Sequence, residues 1–330
     1  MNGRKGIEGM LYAFPPSVRK ILSSLSQDVL QKIEEVRLRA NRPLAVYLEG
    51  SEKFVSTSGE LSNSSSSSYI VTVDDCEKAF QLVSQSSLYA FEDEIKSGYI
   101  TLKGGYRVGL AGECVLENGS IKIIKNVSGY NYRISKEVLG AADEIMEYLI
   151  DRQGSVYNLL IISPPQCGKT TLLRDIARAL SDGFMGFDGK KVCIIDERSE
   201  IAGCYNGVPQ LNVGIRTDVL DRCPKAEGMI MAIRSMSPQV VVTDEIGKKE
   251  DIEALRHVLN AGVKIITTVH AKDIEDLKKR PLLKDLVEGK YFERYIILSN
   301  RFGAGTLEEI LDENLKMVFK GPYKKGLKKS

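Results

Sequence analysis

Residues 157–174 read YNLLIISPPQCGKTTLLR, and this stretch decides the fold of the chain. The apolar run 159–162 has the length and β-branching of a buried strand. Ser163-Pro164-Pro165 breaks it, and Leu172, Leu173, Ile176, Ala177 and Leu180 then recur at helical spacing. Strand, loop and helix in that order form the context in which a Gly-Lys-Thr loop binds phosphate. Pro164 and Pro165 carry no backbone N–H. The anion cradle is therefore expected from Gln166, Cys167, Gly168, Lys169, Thr170 and Thr171, where amides and helix dipole converge on a β-phosphate. Lys169 is expected to reach the β- and γ-phosphates of ATP, and the Thr170 hydroxyl to hold Mg²⁺. The pattern G-x-x-x-x-G-K-S/T has Gly where this chain has Ser163, a substitution that costs energy wherever the backbone needs positive φ.

A partner motif lies at 239–247, QVVVTDEIG. Val240, Val241 and Val242 read as a fully buried strand, and Asp244 and Glu245 follow at its carboxyl end, the edge at which parallel sheets bind ligands. Asp244 is expected to hold Mg²⁺ through water, and Glu245 to orient or deprotonate the attacking water. A second acidic cluster, Asp196-Glu197-Arg198-Ser199-Glu200, follows the apolar run 192–195, so Glu197 competes with Glu245 for the role of base. A third strand, 264–268, runs into His270, one of two histidines in the chain, placed to sense a γ-phosphate. His257, within DIEALRHVLNAG, reads as structural.

Hydrophobic content of 43% and charged content of 27% are those of an ordinary globular protein, and 330 residues suffice for two cores. The net charge of +2 gives no bulk argument for nucleic acid. No apolar run approaches the ~20 residues that span a bilayer, and the first twenty residues lack the apolar core of a signal peptide, so a cytoplasmic protein is expected. The six cysteines show no C-x-x-C spacing and read as reduced thiols. Cys167, beside Lys169 at a helix start, is expected to be acidified, with alkylation there blocking nucleotide.

Along the chain, residues 1–135 read as a smaller α/β domain. Helices are expected over 21–33 and 73–83, and strands at 36–39 and 44–48. Further strands at 99–102, 106–110 and 114–124 are expected, with turns at Gly104-Gly105 and Asn118-Gly119. The serine-rich run 61–68 reads as a surface turn. An amphipathic helix over 136–152 is expected to open the second domain, 136–330, whose strand–helix alternation implies a mainly parallel, three-layer α/β sheet. Strands at 295–298 and 316–319 read as a terminal pair, and the tail holds five lysines between Lys320 and Lys329.

With those residues in view, the chain resembles the stage III sporulation AA family, ATPases of endospore-forming bacteria related to hexameric secretion and type IV pilus motors. The resemblance spans nearly the whole chain. It rests on IEEVRLRANRPL (33–44), SLYAFEDEIKSGYITLKGGYRVGLAGE (87–113), IIDERSEIAG (194–203) and GIRTDVLDRCPKAEGMIMAIRSMSPQVVVTDEIG (214–247). Ser163 and Gln166 stand where the family usually shows Gly, and Tyr106 where it usually shows His. The resemblance implies a RecA-like core in the second domain. It matches residues 196–200 to the secretion motors' Asp box and residues 267–271 to their His box, and it carries Arg107 and Arg133 over as arginines that reach toward nucleotide from the N-terminal domain. It also implies a mother-cell protein peripheral to the forespore membrane. There it would act with membrane proteins in a channel-like complex needed for late forespore gene expression.

Motors of this class often set nucleotide between subunits, where a neighbour's arginine offsets transition-state charge. A homo-hexamer is therefore expected, with Arg216, Arg222 and Arg234 as candidates and Arg234 fitting the motor pattern best. The leading reading is a Mg²⁺-dependent ATPase driving a membrane-associated assembly. A nucleotide-gated scaffold with negligible turnover, favoured by Ser163, is the alternative. A nucleic-acid motor is disfavoured by the near-neutral charge and the lack of an aromatic-basic stripe.

Overall fold

The computed structural model describes residues 6–85, 92–96, 98–134 and 137–323. The domain boundary expected near Ser135, the start of the expected helix at Lys136 and the tail lysines from Lys324 onward lie outside the described residues. The chain divides into two compact units, Met1–Glu137 with Gly203–Gln210, and Val138–Ala202 with Leu211–Ser330.

In the first unit a 3₁₀ helix over Ile7–Ala13, α1 (Pro16–Ser23) and α2 (Gln27–Lys32) precede β1 (Ile33–Arg39), β2 (Arg42–Pro43), β3 (Ala45–Leu48), β4 (Ser51–Val55), β5 (Leu61–Ser62) and β6 (Ile70–Val71). Then come α3 (Val73–Val83), α4 (Glu92–Lys96), β7 (Tyr99–Leu102), β8 (Tyr106–Glu117) and β9 (Ser120–Arg133). The helix expected over 21–33 is two short ones, parted near Ser24. Seven strands form an antiparallel sheet in the order β5-β4-β3-β1-β9-β8-β7. The strand expected at 114–124 is divided at Asn118-Gly119, both at positive φ, so that β8 and β9 make one long hairpin. Phe14 stacks on Tyr132 with centroids 4.1 Å apart, and the buried Tyr132 hydroxyl donates to Ala13 O at 3.0 Å.

The N-terminus of α3 is pinned by Asp75, which is 3% exposed. Thr72 Oγ1 accepts from Asp75 N at 3.0 Å, and Asp75 Oδ2 accepts from Thr72 N at 2.9 Å and from Tyr69 Oη at 2.7 Å, while Ser17 Oγ donates to Oδ1. Burial alone would push the Asp75 carboxyl up, but the bonds from Ser17, Tyr69 and Thr72 outweigh it and hold the group below its ordinary 3.8.

In the second unit α5 (Met146–Leu149) leads to β10 (Leu159–Ser163), α6 (Lys169–Asp182), β11 (Val192–Asp196), β12 (Thr217–Asp221), α7 (Lys225–Ser235), β13 (Val240–Thr243) and α8 (Lys249–Asn260). There follow β14 (Lys264–His270), α9 (Ile274–Lys278), α10 (Pro281–Glu288), β15 (Arg294–Ser299), β16 (Thr306–Asp312) and β17 (Met317–Tyr323). The sheet order is β12-β11-β13-β14-β10-β15-β16-β17, parallel from β12 through β15 and antiparallel beyond. Leu160, Ile162, Cys193, Ile195 and Val241 pack with α7 and α8. The alternate residues Leu159, Ile161, Ile194 and Val242 are equally buried, and α6 runs along β10, β11 and β14. A sheet buried on both faces yields the continuous apolar strands seen in the sequence.

Two expectations are corrected in this unit. The helix expected to run through Arg152 is confined to Met146–Leu149. Before it, the Ala142 N–H is taken by Asp175 Oδ2 of α6 at 2.8 Å rather than by a helical carbonyl, and Gly140 turns the chain at φ 73°. The strands at 294–299 and 317–323 do not pair with each other, because β16 lies between them. Leu307, Ile310 and Leu311 are spaced as on a helix, which hides β16 in the sequence.

Asp75→Asn is expected to destabilise the first unit by about 2 kcal/mol at neutral pH, because buried donors lose a charged acceptor. A carboxyl held below its ordinary value contributes stability that is present above pH ~4 and lost as pH falls through the folded value. The difference between wild type and variant in urea unfolding should therefore shrink under acid.

Candidate functional site

The parallel register brings the strand ends to one edge. Ser163 is aligned with His270, Ile195 with Thr243, and Asp196 with Asp221. A cavity of about 410 Å³ opens there, lined by Gln166, Lys169, Thr170, Glu200, Asp244 and Glu245 among others, with His270 and Ala304 at its wall.

In the loop after β10, positive φ falls on Gln166 (61°) and Gly168 (81°) and not on Ser163. Ser163 is fully buried and its hydroxyl donates to Pro164 O at 2.9 Å, so the strain expected for serine at this position is absent. Gly168 is constrained twice. Besides its φ, a Cβ there would stand 3.0 Å from Gly305 N, and Gly305 N donates to Cys167 O at 3.0 Å. The loop joining β15 to β16 thus braces the phosphate loop, a role the sequence pattern does not announce. Cys167 is 1% exposed, with Sγ directed at Pro165 O, so the thiol expected to be reactive is shut inside the loop. Pro165 and Gln166 are exposed.

Lys169 is buried, and its Nζ donates to Ser163 O at 3.4 Å and Pro164 O at 3.2 Å and meets His270 Nδ1 at 2.7 Å. Burial pushes its ammonium down, and the Glu245 charge opposes this. His270 Nε2 stands 3.1 Å from Glu245 Oε2. Accepting from Lys169 at Nδ1 leaves Nε2–H to donate to the carboxylate, so Lys169, His270 and Glu245 form one chain of contacts.

Asp244, 8% exposed, is pushed up by burial while the Lys225 ammonium, 3.5 Å from Oδ1, pulls it down. Asp244 Oδ1 is buried without a hydrogen-bond partner. Together with the Thr170 hydroxyl on the same cavity, this unmatched oxygen fits a hard divalent cation. Among the described residues no group of three or more His, Cys, Asp or Glu could cage a metal.

The acidic turn after β11 is arranged differently from the sequence expectation. Asp196 is fully buried and is pushed up to about 6 by burial, against the N–H bonds it accepts from Ala202 and Glu200 at 2.8 Å and from Ile201 at 3.0 Å. Arg174 of α6 clamps the same turn from the other side, donating to Ile201 O and to Glu200 O. Glu197 pairs with Lys225 and does not line the cavity, whereas Glu200 does. Glu200 and Arg198 are thus the members of the cluster that line the cavity with the phosphate loop.

The arginines are spread out. Arg216 Nη1 donates to Ser181 O at 3.0 Å, and Arg222 Nε lies 3.7 Å from Asp221. Arg234 lines a separate open groove of about 810 Å³ between α7 and α8, with Glu227, Met231, Glu250 and His257. Arg107 and Arg133 belong to the first unit, where Arg107 lies 4.0 Å over the Tyr99 ring and Arg133 Nε donates to Glu35 at 3.2 Å.

A family model described as Sporulation stage III, protein AA matches residues 4–318. The chain belongs to that family. It is 45% identical over 300 residues to Stage III sporulation protein AA of Bacillus subtilis (strain 168), covering 91% of this chain and 93% of that one. Among solved structures it is similar to the ATPase DotB of Legionella pneumophila, with a TM-score of 0.54, 15% identity, and 90% of this chain and 77% of that chain covered. It is likewise similar to the pilus retraction motor PilT with bound ADP, at TM-score 0.53 and 15% identity over 82% of this chain and 76% of that one. The fold of this sporulation family member is therefore the RecA-like, two-domain α/β fold of secretion and pilus motor ATPases. No helix among the described residues is long and apolar enough to cross a membrane.

Gly168→Ala is expected to lower the unfolding free energy by about 1–3 kcal/mol, from positive φ and the close approach of Gly305. Ser163→Gly should not stabilise the loop and should cost about 1 kcal/mol. Urea unfolding of both variants beside wild type checks the pair; a stabilised Ser163→Gly would contradict the loop geometry.

Proposed function

We propose that the protein is a Mg²⁺-dependent ATPase that works as a ring, most simply a hexamer, and drives a membrane-associated complex of sporulation. The observation that carries the reading is the convergence of a Gly-Lys-Thr loop, a buried unmatched Asp244 oxygen and the carboxylates Glu245 and Glu200 on one cavity. Likeness to DotB and PilT supports the fold, and family membership supports the sporulation context.

In this reading the amides of residues 166–171 and the dipole of α6 bind the β-phosphate. Lys169 leaves its carbonyl and His270 partners to reach the γ-phosphate, which recovers the cost of holding a buried ammonium. Thr170 and Asp244 would hold Mg²⁺, which offsets charge on the phosphoryl oxygens when bound. Glu245 orients the attacking water and takes its proton, with His270 Nε2–H fixing the carboxylate and registering where Lys169 points. Glu200, clamped by Arg174 and by the Asp196 turn, is the second carboxylate in reach; Glu197 is assigned to Lys225 instead. Arg234, in a groove that shares no residue with the phosphate-loop cavity, is proposed to act on a neighbouring subunit. Arg107 and Arg133 are retained as N-terminal contributors on the family resemblance.

The nucleotide-gated scaffold drew its support from Ser163, and the loop shows no backbone penalty there. Partners in the forespore-membrane complex, a mother-cell cytoplasmic location and late forespore gene expression belong to the same proposal.

Phosphate release with Mg²⁺-ATP tests the reading. Lys169→Ala is expected to abolish turnover without unfolding the protein. Glu245→Gln should lower kcat by about 10²–10⁴-fold with nucleotide still bound, and Glu200→Gln and Glu197→Gln should each lower it less. Wild-type turnover in Lys169→Ala would remove the site assignment.

A further inference from the structure

One cation at the sheet edge, Lys225, does not line the phosphate-loop cavity. Lys225 opens α7 directly after Pro224, and it is 8% exposed. Its ammonium pairs with Glu197, from the turn after β11, and stands 3.5 Å from Asp244 Oδ1, at the end of β13. Those two strands are neighbours in parallel register, so their ends would otherwise set two carboxylates side by side under little water. Asp244 Oδ1 accepts no hydrogen bond, which leaves Lys225 as its charge partner without satisfying the oxygen.

We propose that Lys225 is a positioning residue that serves as a built-in counter-ion for Asp244, competes with the divalent metal for that oxygen, and is drawn back by Glu197 when the metal enters. The proposal rests on the assignment of Asp244 as the metal carboxylate. A buried carboxylate with no cation nearby is costly, and it would bind any divalent ion ahead of nucleotide. A lysine held between two carboxylates removes that cost in the metal-free protein. It also weakens the site for a bare ion, so that metal enters with the phosphates that complete its ligand set. Glu197 is the other half of the device. By taking the ammonium it frees Asp244 Oδ1, which explains why Glu197 faces Lys225 and not the cavity.

The two partners therefore have opposite effects on metal affinity, which a pair serving only to hold the fold would not have. Mn²⁺ binding to the full-length chain, read by electron paramagnetic resonance with and without a non-hydrolysable ATP analogue, tests this. Lys225→Met is expected to bind bare Mn²⁺ about tenfold more tightly than wild type, through loss of a repelling charge next to the metal carboxylate. Glu197→Gln should weaken Mn²⁺ binding in the presence of the analogue by a similar factor, because Lys225 then stays on Asp244. Lys225→Arg should keep the weak wild-type affinity for the bare ion. Should Lys225→Met fail to fold, Glu197→Gln and Lys225→Arg still decide the matter. If analogue and Mn²⁺ bind to wild type but the variants shift affinity in the same direction or not at all, the counter-ion role is overturned. If wild type binds no Mn²⁺ with the analogue, or if Asp244→Asn leaves its binding unchanged, the metal assignment itself fails and the counter-ion role with it.

Discussion

Burial of the central strands on both faces is the constraint from which the candidate site follows. All of β10, β11 and β13 is solvent-free, so their interiors admit apolar side chains almost without exception, and polar groups collect where the strands stop. Parallel register then makes all these stops fall on one edge: Ser163 beside His270, and Asp196 and Asp244 on neighbouring strands. A cavity with lysine, threonine and carboxylates is what such an edge becomes once helix starts are added, because each helix that follows a strand turns its free amides toward the same place.

Collecting charge at a buried edge has a cost, and the chain meets it by matching groups one to one. Asp196 uses its carboxylate on three amides of its own turn, and Arg174 takes two carbonyls of that turn, so a seven-residue excursion is held from both sides. Lys169 rests on two carbonyls and on His270, which in turn meets Glu245. Two carboxylate oxygens at this edge are exceptions among the described residues: Asp221 Oδ1, at the end of β12, and Asp244 Oδ1, which is buried near a cation and still without a hydrogen bond. Buried polar atoms are nearly always satisfied in folded proteins, and of these two only Asp244 lines the cavity with the phosphate loop.

The parts of this arrangement that are local in sequence were legible in it. The strand–loop–helix at 157–174, the valine strand before Asp244-Glu245 and the strand before His270 each announce themselves by an apolar run and its punctuation, and all three are where the pattern puts them. What depends on a distant partner was not. Glu197 and Glu200 are three residues apart and chemically alike; Lys225, nearly thirty residues on, takes Glu197, while Arg174 and the Asp196 carboxylate hold the backbone of Glu200, which lines the cavity. The brace from Gly305 onto Gly168 crosses more than a hundred residues, and the sole hint is the glycine pair in GAGT. β16 escaped for a different reason: its apolar residues follow a helical period, and pairing with β15 and β17 overrides it.

The phosphate loop shows why a consensus letter and a physical requirement differ. A glycine is needed where φ is positive or where another backbone comes close, and in this loop both conditions meet only at Gly168. Gln166 has positive φ as well, at a cost of about 1–2 kcal/mol, but it is exposed and its side chain meets no such obstacle. Ser163, at the consensus position of the first glycine, ends a strand with ordinary backbone geometry and spends its hydroxyl on the next carbonyl. The departure that looked most damaging in the sequence is therefore the harmless one, and the strain sits three residues later. There the backbone of Gln166 takes positive φ, and the residue is exposed and lines the cavity.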